Sequence, residues 1–227
     1  MNMTLIIGSS SNAGRPLVEA LSVSGERIRC ATRNPAQYKA PANGEAVRFD
    51  YQDPATYEAA LEGTNRVFGI APPAADPAGV VIPFLQQAAR NGRKIVLMTA
   101  MGTEFEENGP LRRVEIALEK SGAPFVILRP NWFMDNFHGM WLPAIRHAGV
   151  IAVPASDSLT SFIDARDIAA CAASALATDR ARDRGASHTR QRPGGARFIA
   201  RLGYSDAFES RQGEEIPCIT RSRRTRL

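Results

Sequence analysis

Of the 227 residues, those with the clearest chemical potential form a small-residue turn near the N-terminus, Gly8-Ser9-Ser10-Ser11-Asn12-Ala13-Gly14. It follows the apolar run Met3-Thr4-Leu5-Ile6-Ile7 and precedes Leu17, Val18, Ala20 and Leu21 at helical spacing. That order predicts a buried strand, a tight loop and a helix. A helix start carries unpaired N–H groups and the positive end of its dipole, and small residues let a phosphate approach both. The spacing Gly8-x-x-Ser11-x-x-Gly14 departs from the usual dinucleotide fingerprint, whose first two glycines stand closer together. An ordinary capped strand-to-helix loop is the competing reading.

A second residue supports the phosphate reading. Arg27-Ile28-Arg29-Cys30-Ala31-Thr32 reads as a strand and is followed at once by Arg33-Asn34-Pro35. In dinucleotide folds the residue roughly 20 positions beyond the glycine turn selects the cofactor, an acid taking the ribose hydroxyls and an Arg accommodating a 2′-phosphate. Arg33 stands near that position, which favours NADP(H) over NAD(H). A solvated arginine at a strand end is the alternative.

These residues need elements to hold them. Residues 45–49, 66–70, 94–98 and 125–128 read as further strands, alternating with helical apolar spacing around Val80 to Ala88 and Leu111 to Leu118. Asp53-Pro54 predicts a helix start with Asp53 as N-cap. Near-continuous apolar strands alternating with helices predict an α/β fold, a Rossmann-like doubly wound parallel sheet covered on both faces. Ligands of such sheets bind at the carboxyl ends of the strands, where Gly8, Arg33, Asp50, Ala71, Thr99 and Asn131 would converge. Asp50 and Tyr51 would lie near an adenine edge, although Asp50 serves equally well as a loop brace. Asp164 and Asp167 read as caps of a final helix, with Arg166 as a local ion-pair partner.

The chain resembles the NmrA-like branch of the atypical short-chain dehydrogenase/reductases, which includes type 2 NAD(P)H:quinone oxidoreductases. The resemblance covers about residues 3–179 and rests on the Gly8-to-Gly14 loop with Asn12, Thr32-Arg33-Asn34-Pro35, Phe49-Asp50, Leu128-Arg129-Pro130-Asn131-Trp132-Phe133-Met134-Asp135-Asn136-Phe137 and Phe162-Ile163-Asp164-Ala165-Arg166-Asp167-Ile168-Ala169. It implies that Gly8, Ser10, Ser11, Asn12 and Arg33 hold the pyrophosphate and 2′-phosphate of NADP(H). By the same resemblance Asp50 and Tyr51 flank adenine, and Ala71, Pro72 and Thr99 line the nicotinamide side. Asn131, Trp132, Phe133 and His138 then line the substrate side. Two departures stand out. Ser11 replaces a glycine usual in the family, so its Cβ would crowd the pyrophosphate while its hydroxyl offers a donor. The usual dehydrogenase acid, a Tyr followed four residues later by Lys, is absent, which removes the proton donor for alcohol or ketone chemistry. The resemblance therefore implies hydride reduction of a quinone-like or other small acceptor, or alternatively a non-catalytic NADP(H) sensor that binds a protein partner.

Composition excludes several other classes. The net charge of +5 comes from residues 180–227, where twelve arginines face five carboxylates, and the rest of the chain is mildly acidic. A basic nucleic-acid face in the body is therefore not expected. His138, His147 and His188 lack metal-ligand spacing, so no metal is expected. No apolar run is long enough to cross a bilayer, and Cys30, Cys171 and Cys218 form no CxxC pair, so the expectation is a cytoplasmic protein without a membrane partner. A hydrolase elbow fails because Asn12 stands where its last glycine belongs. The expected division is an NAD(P)-binding core over 1–130, the start of a substrate lobe over 131–179, and an atypical arginine-rich tail over 180–227. Three readings of that tail stay open: a disordered basic segment, an anion-binding arm, or the product of a reading-frame shift. The sequence does not fix an oligomeric state.

Overall fold

The computed structural model describes residues 3–72, 74, 76–151 and 161–177, together with the backbone of 197–202. Strand β1 (Met3–Ile7) leads into helix α1 (Gly14–Val23), β2 (Arg27–Thr32), β3 (Gly44–Arg48), the short α2 (Tyr57–Leu61) and β4 (Arg66–Ile70). There follow α3 (Pro77–Ala89), β5 (Lys94–Met98), α4 (Pro110–Glu119) and β6 (Phe125–Pro130). The chain continues through β7 (Trp132–Phe133), α5 (Leu142–Ala148), β8 (Phe162–Ile163), α6 (Ala165–Ala177) and β9 (Arg197–Leu202).

Seven strands form one sheet in the order β3-β2-β1-β4-β5-β6-β9, every pair parallel. The doubly wound expectation is met. Chain order reverses between β1 and β4, which places the topological switch point at the Gly8 loop. A two-residue ladder between β7 and β8 stands apart from the main sheet. The sequence reading assigned no strand after residue 179, yet Arg197–Leu202 pairs with β6 from Phe125 to Pro130. The remainder of the tail expectation lies outside the described residues.

Side-chain alternation explains the two core layers. Leu5, Ile7, Val67, Ile95, Leu97, Phe125 and Ile127 pack with α2, α3 and α4 on one face. Ile6, Phe68, Val96, Met98, Val126 and Leu128 pack with α1 and α6 on the other. An aromatic knot of Phe49, Tyr51, Tyr57 and Phe84 closes the first layer near β3, with ring centroids 4.9 to 5.7 Å apart.

Capping divides into one expectation met and one corrected. Asp164 Oδ1 accepts the backbone N–H of Arg166 at 2.8 Å, and the Arg166 guanidinium returns to the same carboxylate. Asp53 stands at the expected N-cap position, but its side chain makes no cap bond and instead accepts from Arg48 Nη2 at 3.0 Å. The strand-borne arginine is the better donor because it brings a full charge to the carboxylate.

Candidate functional site: a dinucleotide crevice at the carboxyl edge

The loop from Gly8 to Gly14 is built around close backbone approach. Gly8 has φ 79°, a conformation that side chains disfavour, and a Cβ there would meet Ile70 Cδ1 at 3.0 Å. A Cβ at Gly14 would lie 1.9 Å from the Gly8 carbonyl oxygen, so only glycine permits this closure. Ser11 N–H donates to Gly8 O at 2.8 Å, and Ser9 Oγ donates to Ala31 O at 3.1 Å, tying the loop to β2. Tyr38, whose hydroxyl approaches Ser9 O at 3.4 Å, holds it from outside.

Ser11 does something specific. Its hydroxyl accepts the N–H of Gly14 at 3.0 Å, while its carbonyl accepts that of Arg15, also at 3.0 Å. Pro16 has no N–H, and Leu17 N–H is bonded to Ala13 O. The first turn of α1 has therefore used its own donors internally. Among the described residues the N–H groups of Ser10, Asn12 and Ala13 have no protein partner. Ser10 and Asn12 are exposed and Ala13 is buried, so the loop carries a row of unpaired backbone N–H groups, two of them on surface residues.

Two cations flank this row. Arg33 is exposed at the exit of β2 and has no ion-pair or hydrogen-bond partner among the described residues. Arg15, which carries no motif of its own, folds its Nε back onto Ser10 O at 3.0 Å. It also lines, with Tyr38 and Lys39, a shallow concavity of about 340 Å³ against α1. The phenol of Tyr38 is pushed above its usual range chiefly by burial.

Beyond β3, Asp50 braces its own loop. One carboxylate oxygen accepts Gln52 N–H at 3.0 Å, and Asp50 N–H donates to Thr56 Oγ1 at 3.1 Å. Tyr51 turns inward, its ring against Phe49 and Phe84 and its hydroxyl donating to Ile70 O at 3.3 Å. Burial pushes its phenol well above the usual range, so the hydroxyl stays protonated. Tyr51 thus ties the loop after β3 to the end of β4, beyond which Ala71 and Pro72 are half-buried.

Thr99 belongs to a buried cluster that sequence reasoning missed. Its hydroxyl donates to Glu115 Oε1 at 2.7 Å. Arg129 Nε and Nη2 grip the two oxygens of the same carboxylate at 2.9 and 2.6 Å, and Arg112 Nη1 adds a contact of 3.0 Å. Glu115 is fully buried and Arg129 is 4% exposed. Burial alone would raise the Glu115 carboxyl, but the bonds from Arg129 and Thr99 and the guanidinium charge outweigh it and hold it below the usual range. The signal was present in the strand alternation. The period that sends Leu97 and Ile127 beneath α4 sends Thr99 and Arg129 there too.

Beyond β6, Asn131 Nδ2 donates to Ser161 Oγ at 2.6 Å and its Oδ1 accepts Trp132 N–H at 2.8 Å. Trp132 is 42% exposed, with its indole 5.5 Å from that of the buried Trp141. Phe137 and Phe162 complete this aromatic group. Phe133, by contrast, packs into the α1/α6 layer. His138 is exposed and its ring has no partner among the described residues. Those residues also include no group of His, Cys, Asp or Glu able to hold a metal, and no helix long and apolar enough to cross a membrane.

Known proteins share this fold. YesF of Bacillus subtilis, described as an uncharacterized oxidoreductase, is 33% identical over 183 residues, which cover 78% of this chain and 62% of YesF. Triphenylmethane reductase of Citrobacter sp., solved with NADP(H), superposes with a TM-score of 0.68 at 18% identity, over 91% of this chain and 71% of that one. The NADPH-dependent quinone oxidoreductase QOR2 of Escherichia coli, solved with NADPH, gives 0.67 at 21% identity, over 86% and 67%. The resemblance to NmrA-like proteins is borne out. A family described as NAD(P)H-binding matches residues 8–179, a span that contains the whole crevice, and the chain belongs to that family.

Proposed function

We propose that this protein is an NADPH-dependent oxidoreductase that delivers hydride to a flat, quinone-like acceptor. The observation that carries the reading is Trp132, a part-exposed indole at the carboxyl edge beyond β6, backed by the buried Trp141. A rigid aromatic face beside a nicotinamide pocket suits a planar acceptor. The phosphate loop, with Arg33 and Arg15 beside it, would hold the pyrophosphate and the 2′-phosphate, and the bound nicotinamide supplies the hydride. No Tyr-x-x-x-Lys acid is present, and a quinone needs little help from one because its reduced oxygens are readily protonated by water. His138 is exposed six residues beyond Trp132 and would be the group to assist that protonation if it faces the acceptor.

The test mixes the purified protein with NADPH and a panel of quinones and follows loss of NADPH absorbance, for wild type and Trp132→Ala. Turnover that falls in the variant through a higher KM supports the reading. NADPH binding with no turnover on any acceptor would refute it in favour of a cofactor sensor.

A further inference from the structure

We propose that Glu115 is a positioning residue for the nicotinamide half of the site, holding the exits of β5 and β6 in fixed register through one carboxylate. The inference rests on the NADPH reading of the crevice. Three elements meet on this side chain. Thr99 reaches it from the end of β5, Arg129 from β6 and Arg112 from the preceding turn of α4. Backbone bonds carry the same register outward: Thr99 N–H donates to Leu128 O and Met101 N–H to Pro130 O, both at 2.9 Å. Arg129 also stands 3.7 Å from Glu104, in the turn that follows β5. Beyond these exits lie Ala100 after β5 and Asn131 and Trp132 after β6, so on the NADPH reading the β5 exit would border the nicotinamide and the β6 exit the acceptor.

A buried ion pair contributes little net stability compared with apolar residues of the same volume. What apolar residues would not supply is direction. The bidentate Arg129 grip and the Thr99 hydroxyl fix where each strand ends, to a tolerance that packing of Leu or Val would leave loose. The adenosine half of the crevice, from Gly8 to Arg33, touches none of these groups. Glu115 should therefore affect one half of the cofactor and leave the other alone.

Calorimetric titration with NADPH and with adenosine 2′,5′-bisphosphate separates the halves. In Glu115→Gln and in Thr99→Val, NADPH affinity should fall about tenfold because the loosened strand exits must be ordered again on binding, while adenosine 2′,5′-bisphosphate binds as to wild type. Thr99→Ser keeps the hydroxyl and should restore NADPH affinity. Thr99→Val leaves the ion pair intact and remains informative where Glu115→Gln fails to fold. Equal loss for both ligands, or unchanged NADPH affinity in Thr99→Val, would overturn the inference. A wild type that binds adenosine 2′,5′-bisphosphate and NADPH equally tightly also overturns it, since no nicotinamide contact would then exist to position. A wild type that binds neither ligand overturns the cofactor reading itself, and this inference with it.

Discussion

Replacing Ser11 with glycine should tighten NADPH binding. In the structure the Ser11 hydroxyl occupies the Gly14 N–H at 3.0 Å, and that N–H stands at the start of α1, where a pyrophosphate oxygen would be stabilised by the helix dipole. Removing the hydroxyl frees this donor. A hydrogen bond to a charged group contributes about 1.5–3 kcal/mol. Against it stands the extra chain entropy of glycine, about 0.5–1 kcal/mol, which lowers fold stability and affects binding only where the free loop loosens. The net gain is roughly 1–2 kcal/mol, or about 5- to 30-fold in affinity. Fluorescence titration of wild type and Ser11→Gly with NADPH measures it, and Ser11→Ala separates loss of the hydroxyl from loss of the Cβ. Equal or weaker binding in Ser11→Gly would show that the Ser11 hydroxyl itself donates to phosphate and that the bond to Gly14 is given up when cofactor enters.

Further outcomes follow from other residues. Arg33→Ala should lower NADPH affinity by roughly 1.5–3 kcal/mol and leave NADH nearly unchanged, which parallel titrations of the two cofactors would read. Gly14→Ala forces a Cβ against the Gly8 carbonyl and should lower stability by about 1–3 kcal/mol while displacing the loop, detectable as a lower Tm together with lost NADPH binding. The Glu115 carboxyl is held below the usual carboxylate range in the fold, so its stabilisation is complete above the unfolded-state pKa and is lost as pH falls through the folded-state value. Thermal melts stepped downward from pH 5 should therefore show a steeper loss for wild type than for Glu115→Gln. Arg93 is buried with its guanidinium on the carbonyls of Leu61, Thr64 and Ala88, and Arg93→Met should cost about 2–4 kcal/mol in urea unfolding because those acceptors lose their donor.

Most of the sheet was legible because apolar runs and helical periods are local signals. Six strands fall where the runs predicted them, and the Gly8 turn lies at the switch point that their order implies. The elements that escaped are those with little periodicity of their own. Helix α5 is seven residues long and β9 emerges from an arginine-rich stretch with no strand neighbour in sequence, whereas Asp53-Pro54 marks the entry to α2 as expected. Within the site, residue type was easier to read than direction. Tyr51 and Thr99 stand at the expected strand exits, yet alternation from Phe49 and Leu97 turns both side chains toward the helices rather than the crevice. Glu115 carried no motif, and its meaning depends on partners 14 and 16 residues away.

Helix α2 raises a question of timing. Five residues cannot sustain a helix in water, because nucleation costs more than so few bonds return. Its C-terminal carbonyls are held instead by two arginines distant in sequence: Arg29 from β2 reaches those of Ala59, Ala60 and Glu62, and Arg93, just before β5, reaches that of Leu61. Both guanidiniums are delivered only when β2, β1, β4 and β5 already lie side by side. The helix is therefore expected to form late, on a template of assembled strands, so that Arg29→Ala should speed unfolding more than it slows folding in stopped-flow measurements.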